Sequence, residues 1–257
     1  MKKAILVVSF GTIHHDTRKK NIEACEEKIK EGLEEYDFYR AFTSQVIISK
    51  VKIMDNIFID NPKEALEKLY YKGYKEIIVQ SLHITCGCEY NKLRNIVLEF
   101  KDKFEKIYLG RPLLTYKEDY IDVVLAIKKD LETMKSNEFI LFMGHGSENK
   151  SNIVYNELEY VFRKYNINAF IATINGYPSL KEIIKRLKDE NIKTINLIPL
   201  LLVVGNHVLS DMIGTKEDSW KAILEKEGFN VNVHLKGLGE NIYIQEIFKR
   251  HALESIK

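Results

Sequence analysis

Three residues combine side-chain type and position in a way that suits a divalent cation: Glu89, His145 and His207. His145 stands between Gly144 and Gly146 in "FILFMGHGS", where an apolar run gives way to small residues. Glycine on both sides lets the chain turn sharply and approach a ligand closely. His207 closes "LIPLLLVVGNH", two residues beyond Gly205, and Glu89 closes "EIIVQSLHITCGCE", two residues beyond Gly87. Two neutral imidazoles and an oxygen donor suit a borderline ion such as cobalt, nickel, iron or zinc, and suit magnesium or calcium poorly. A site with only these ligands stays coordinatively open, able to hand the ion on or to activate what binds it. Taken singly, Glu89 reads as a surface carboxylate and His207 as a helix-start or loop histidine with a satisfied hydrogen bond.

The elements that must position these residues repeat. Lys75 to Glu89 overlays Lys193 to His207 at a constant offset (193 − 75 = 118), with identities at Lys75/Lys193, Ile77/Ile195, Leu82/Leu200 and Gly87/Gly205. "AILVVSFGT" matches "EFILFMGHGS" as a strand followed by a glycine turn, so that Phe10 is the counterpart of His145. Proline-started amphipathic helices at Pro62 and Pro178 precede the two repeated runs. "AILVVSF", "EIIVQSLHI", "KIYLGRPL", "FILFMGH", "AFIATING" and "INLIPLLLVV" are strand candidates, and helical patterns separate them. This alternation predicts an α/β protein of two similar subdomains, each a parallel sheet flanked by helices. The predicted halves are residues 1–134 and 135–257, joined near Lys135 to Asn137, with the last helix free to pack back on the first half. Ligands of open parallel sheets sit at the carboxyl ends of strands, which places the expected site in a cleft between the halves.

Composition excludes several classes. Lys and Arg total 39 against 37 Asp and Glu, a formal charge of +2, and no basic stripe with interleaved aromatics suggests nucleic acid. The apolar run after "MKK" is too short for a signal peptide, and no stretch approaches ~18 apolar residues, so no membrane span is expected and the cytoplasm is the expected location. Cys25, Cys86 and Cys88 form neither a disulfide framework nor a zinc-finger spacing, and Cys86 and Cys88 read as small apolar fillers. His14 and His15 read as loop residues facing water, His83 as a core histidine inside a strand, and the charged stretch from Asp16 to Arg40 as a solvated helix. "SFGT" lacks the glycines of a phosphate loop, and no organic cofactor is indicated.

In chain order, "SFGT", "AFTS", "HITCGCEY", "MGHGS", "NGYPSL", "GNHVLSDMIG", "EDSW" and "GLGE" resemble the anaerobic cobaltochelatases, class II chelatases that insert Co²⁺ into sirohydrochlorin or precorrin-2. The resemblance spans nearly the whole chain. It implies two α/β halves around a tetrapyrrole-sized cleft, with Co²⁺ as the substrate metal (Ni²⁺, Fe²⁺ or Zn²⁺ as alternatives) and sirohydrochlorin or precorrin-2 as the partner. It further implies that His145 and His207 hold the metal, that His145 takes part in proton removal, and that Glu89 lies in the cleft as a third ligand candidate. One imidazole cannot ligate and accept a proton at once, so Glu89 is expected to share the deprotonation. Ser9, Gly11, Thr12, Thr43, Gly144, Ser147 and Asn175 are the expected substrate contacts, and Arg18, Lys50, Lys92 and Arg94 the nearby cations that could meet substrate carboxylates. The resembled pattern leads one to expect glutamate at Asn175, aspartate at Asn206 and asparagine at Ser210. Two lost carboxylates weaken attraction for a dication. A ferrochelatase- or nickel-chelatase-like enzyme, a non-catalytic tetrapyrrole or metal carrier, and a metal-assisted hydrolase are the competing readings; a homo-oligomer is compatible with all of them.

Overall fold

The computed structural model describes residues 1–132, 139–147, 152–215 and 217–257. The chain forms two compact units: Met1–Thr115 with Ile242–Lys257, and Tyr116–Asn241. The sequence repeat placed the division at 134/135, and the expected junction at Lys135 to Asn137 lies outside the described residues.

In the first unit the order is β1 (Lys3–Ser9), α1 (His15–Thr17), a π-helical stretch (Arg18–Glu23), α2 (Ala24–Lys30), β2 (Asp37–Phe42), α3 (Gln45–Asp55), α4 (Pro62–Tyr71), β3 (Glu76–Ser81), α5 (Cys88–Glu99) and β4 (Lys106–Gly110). The second unit contains α6 (Lys117–Leu131), β5 (Phe139–Gly146), α7 (Ile153–Lys164), β6 (Ala169–Asn175), α8 (Leu180–Asp189), β7 (Thr194–Pro199), a π-helical turn (Val208–Met212), α9 (Trp220–Lys226) and β8 (Asn230–Val233). The last helix, α10 (Ile242–Glu254), returns to pack on α2, β3 and β4 of the first unit.

Each unit holds one four-stranded parallel sheet with the same connectivity, β2-β1-β3-β4 in the first and β6-β5-β7-β8 in the second. The central strands are buried almost throughout, as expected where helices cover both faces of a parallel sheet. Leu6, Val8, Leu66, Ile77, Val79, Leu93 and Phe100 belong to one core; Leu141, Met143, Phe170, Ile183, Leu197 and Leu224 belong to the other.

Several expectations need correction. β2 and β8 were absent from the strand candidates; "DFYRAF" and "NVNV" are edge strands with exposed polar positions and no continuous apolar run. "INLIPLLLVV" is strand only to Pro199, and "EIIVQSLHI" only to Ser81. His83 therefore lies beyond its strand, where its main-chain N–H donates to the Ser81 hydroxyl (3.2 Å) instead of entering the ladder. Pro62 does open α4, inside an Asn61–Glu64 capping box. Pro178 instead precedes the α8 N-cap Ser179 and follows a cis peptide bond. Cys86 and Cys88 are exposed, not packed. The Asp16–Arg40 stretch is not wholly solvated: Arg18 and Glu26 are each 1% exposed, Arg18 paired with Asp55 and Glu26 with Arg40. Arg18 is thus committed to the fold rather than to a substrate.

Candidate metal and proton-transfer residues

His145 reaches its position because β5 ends in a backbone that only glycine permits. Gly146 has φ +69°, and a Cβ there would lie 2.0 Å from the Asn175 carbonyl oxygen on β6. A Cβ on Gly144 would lie 2.8 Å from the Tyr155 ring of α7. The loop is tied from below: the Gly146 N–H donates to the Tyr155 hydroxyl (3.3 Å), and the Ser147 N–H donates to Asn152 Oδ1 (2.7 Å). Asn152 Nδ2 in turn donates to the Asn175 carbonyl (3.2 Å). His145 projects into solvent from this clamp, with Nδ1 2.8 Å from the Gly146 carbonyl. That acceptor requires the proton on Nδ1 and leaves Nε2 with its lone pair.

His207 stands at the N-cap of the π-helical turn Val208–Met212. π-Helical insertions concentrate at functional sites. Val208 and Met212 are wholly buried in the second core, so the opposite side of the turn, with His207 and Asp211, faces outward. His207 Nδ1 lies 2.7 Å from Asp211 Oδ2. Burial alone would raise the Asp211 carboxyl, but hydrogen bonds from His207 and Ser210, with the electrostatic pull of the neighbouring imidazoles, hold it below the usual range. The His145 and His207 ring centroids are 4.9 Å apart with planes 84° to each other. Among the described residues neither Nε2 has a hydrogen bond, so two Nε2 atoms stand side by side, each on a ring whose Nδ1 is engaged as in metal-ligating histidines.

Glu89 belongs to the first unit, in the opening turn of α5. Its carboxylate accepts from Lys92 Nζ at 2.7 Å. Burial pushes its pKa up, yet hydrogen bonds from Lys92 and the Thr43 hydroxyl and the Lys92 charge hold it low, so Glu89 is a carboxylate at neutral pH. His83 lies nearby, its Nδ1 2.8 Å from Ser81 Oγ and its Nε2 buried with no partner among the described residues. Burial pushes the His83 pKa down to about 4, with Glu89 pulling weakly the other way.

The strand registers make the equivalence of the two units explicit. Glu89 and His207 both follow a loop that leaves the third strand of their unit and both stand at the start of a helical turn. Phe10, half exposed, occupies the place after β1 that His145 occupies on β5. Among the expected substrate contacts, Ser9, Thr12 and Gly144 are buried, Thr43 and Ser147 are half-buried, and Asn175 is exposed. The Thr12 hydroxyl accepts from the His14 N–H (3.3 Å), and a Cβ on Gly11, at φ +94°, would lie 2.6 Å from the Phe42 ring. Of the expected cations, Lys92 is paired with Glu89, while Lys50 and Arg94 are exposed. Among the described residues no group of three or more His, Cys, Asp or Glu side chains is arranged to hold an ion. Sequence reasoning missed Asp211, Asn152 and Tyr155; only Asp211 left a signal, its spacing of four from His207 on a helical segment.

A duplicated parallel-sheet scaffold of this kind is also that of SirB from Bacillus subtilis with Fe³⁺: TM-score 0.64 at 16% identity, covering 99% of this chain and 96% of that one. The likeness defines the fold class. The sequence goes further, matching the cobalt chelatase (CbiK) family over residues 3–257. A sirohydrochlorin cobaltochelatase from Salmonella typhimurium is 38% identical over 256 residues, covering 100% of this chain and 97% of the relative. The sirohydrochlorin cobaltochelatase CbiKC of Nitratidesulfovibrio vulgaris is 31% identical over 258 residues, covering 99% and 91%. This chain belongs to the cobalt chelatase family.

Proposed function

We propose that the protein inserts Co²⁺ into sirohydrochlorin, with His145 and His207 holding the ion and Glu89 taking up a proton from the ring. The observation that carries this reading is the imidazole pair, 4.9 Å apart, each ring with Nδ1 engaged and Nε2 open. The substrate assignment is supported by the names of the two full-length relatives. Insertion breaks two pyrrole N–H bonds and replaces them with metal–nitrogen bonds, so two protons leave for each dication that enters. A carboxylate held ionised by Lys92 and Thr43 is a competent acceptor for one of them. The second proton goes to His145 once its Nε2 has released the ion, or to water. That Glu89 and the imidazole pair serve the same ring is part of the proposal.

Neutral nitrogen donors favour cobalt, nickel, iron or zinc over harder ions. Asn175 and Asn206 add no negative charge beside the pair, so the ion is held loosely enough to be surrendered to the macrocycle. Location in the cytoplasm and use of the ring without an organic cofactor belong to the same reading; among the described residues no helix is long and apolar enough to cross a membrane. The deciding experiment is an insertion assay with sirohydrochlorin and Co²⁺, Fe²⁺ or Ni²⁺ in parallel. Cobalt-dependent formation of the metallated chromophore, fastest with Co²⁺, is the expected outcome. Ring binding without metallation would make the protein a carrier; faster turnover with iron or nickel would reassign the metal.

A further inference from the structure

The two imidazoles of the second unit are not equivalent. Each uses Nδ1 for an internal hydrogen bond, but His145 donates to a neutral acceptor, the Gly146 carbonyl (2.8 Å), and His207 donates to a carboxylate, Asp211 Oδ2 (2.7 Å). The other carboxylate oxygen of Asp211 accepts from the Ser210 hydroxyl at 2.7 Å, and that hydroxyl also lies 2.7 Å from the Asn206 carbonyl, so the carboxylate is oriented on both sides. Val208 and Met212, wholly buried, fix the turn on which all of these groups ride. A carboxylate on the remote nitrogen of a histidine fixes its tautomer, sets the ring orientation and raises the donor strength of the free nitrogen. A carbonyl does the first two and adds no net charge.

We infer that Asp211 is a positioning residue: it holds His207 in the Nδ1–H tautomer and makes His207 Nε2 the stronger of the two donors toward the incoming ion. The inference rests on the reading of His145 and His207 as ligands of substrate cobalt. It assigns the pair unequal tasks. His207 anchors the ion, and His145, bonded only to a carbonyl, is the donor that lets go first.

The test uses the full-length protein labelled with ¹⁵N-histidine. Long-range ¹H–¹⁵N correlation spectra of the metal-free protein at pH 8 report the tautomer of His207, and titration with Co²⁺ followed by visible absorption reports affinity. In the unsubstituted protein His207 is expected in the Nδ1–H form. Asp211→Asn keeps the size, but its amide can present N–H groups to Nδ1, so the tautomer should become mixed and the Co²⁺ affinity should fall about 10–100-fold. The His145 signals should stay in place. Asp211→Glu, which keeps the carboxylate, should retain the Nδ1–H form and most of the affinity. Ser210→Ala should retain the tautomer. An unchanged tautomer in Asp211→Asn, an affinity within twofold of the unsubstituted protein, or a Glu variant as weak as the Asn variant overturns the inference. If His207→Ala leaves cobalt affinity intact, the ligand reading itself fails and the inference with it. If His207→Ala weakens binding and Asp211→Asn does not, the inference alone fails.

Discussion

Two units with the same sheet connectivity carry different chemistry at matching positions. Just beyond β1 the first unit has Phe10, and at the matching position near the end of β5 the second has His145; at the helical turn after β3 the first has Glu89 and after β7 the second has His207. The first unit thus offers an aromatic ring and an ionised carboxylate held by Lys92, and the second offers two imidazoles with open nitrogens. Duplication supplies the backbone positions, and divergence of single side chains makes the two units chemically different. The supporting shells differ as well. Glu89 leans on half-buried neighbours in its own unit, His83 and Thr43, whereas His207 stands on an outward-facing turn with its own carboxylate.

The sharpest way to break this comparison is to remove the nitrogen donors from the second unit. His207→Ala should lower cobalt insertion by about 100-fold or more while ring binding, followed by absorption, survives. Loss of ring binding without a specific loss of insertion would place His207 in substrate recognition instead.

A comparison of pH responses comes next. His83, whose repeat partner is Leu201, is kept neutral by desolvation of its ring with a pKa of about 4, against ~6.5 in an unfolded chain. Between those values the unfolded chain binds the extra proton, so stability should fall as pH drops from 6.5 toward 4 and level off below, by up to about 3 kcal/mol. His83→Leu imports the residue of the second unit and should flatten that slope in urea unfolding at pH 7, 6, 5 and 4.5. An unchanged slope would show that other groups govern acid sensitivity.

The two glycine turns differ in how hard their neighbours are. At Gly146 a Cβ meets backbone, the Asn175 carbonyl; at Gly11 it meets a side chain, Phe42. Both need φ > 0, but only a side chain can move aside. Gly146→Ala should cost about 2–3 kcal/mol in unfolding free energy and Gly11→Ala less, measured as denaturation midpoints of the two variants side by side.

The smallest effect separates the proposed proton acceptor from the proposed ligands. Glu89→Gln keeps shape and removes charge, and should slow insertion by about tenfold while leaving Co²⁺ affinity within a fewfold. A large loss of affinity instead would make Glu89 a ligand.

Much of this arrangement was legible in the sequence because it rests on strong local signals. Buried parallel strands such as "AILVVS" and "EIIVQS" read as continuous apolar runs, and the offset of 118 is reproduced by β3 and β7, which begin at 76 and 194 and end at 81 and 199. β2 and β8 escaped because they are partly exposed and interleave polar residues with apolar ones, leaving no continuous apolar run. The apolar stretch after Pro199 read as strand because Leu200 to Val204 pack although they leave the ladder, and periodicity does not separate a buried loop from a buried strand. At the site, glycine-flanked His145 was visible as a type and place. Asp211 was not, because a carboxylate four residues along a helix is the commonest of surface features, and only its 2.7 Å contact with His207 distinguishes it. The Arg18–Asp55 and Arg40–Glu26 pairs were read as solvated charge because burial of an ion pair depends on tertiary neighbours that no local pattern records.

The turn bearing His207 is seated on Val208 and Met212, deep among Leu197, Trp220 and Leu224. Its aim is therefore set by the volume of hydrocarbon underneath it. A methionine exchanged for a smaller apolar residue there would shift the outward face of the turn without altering any side chain on that face.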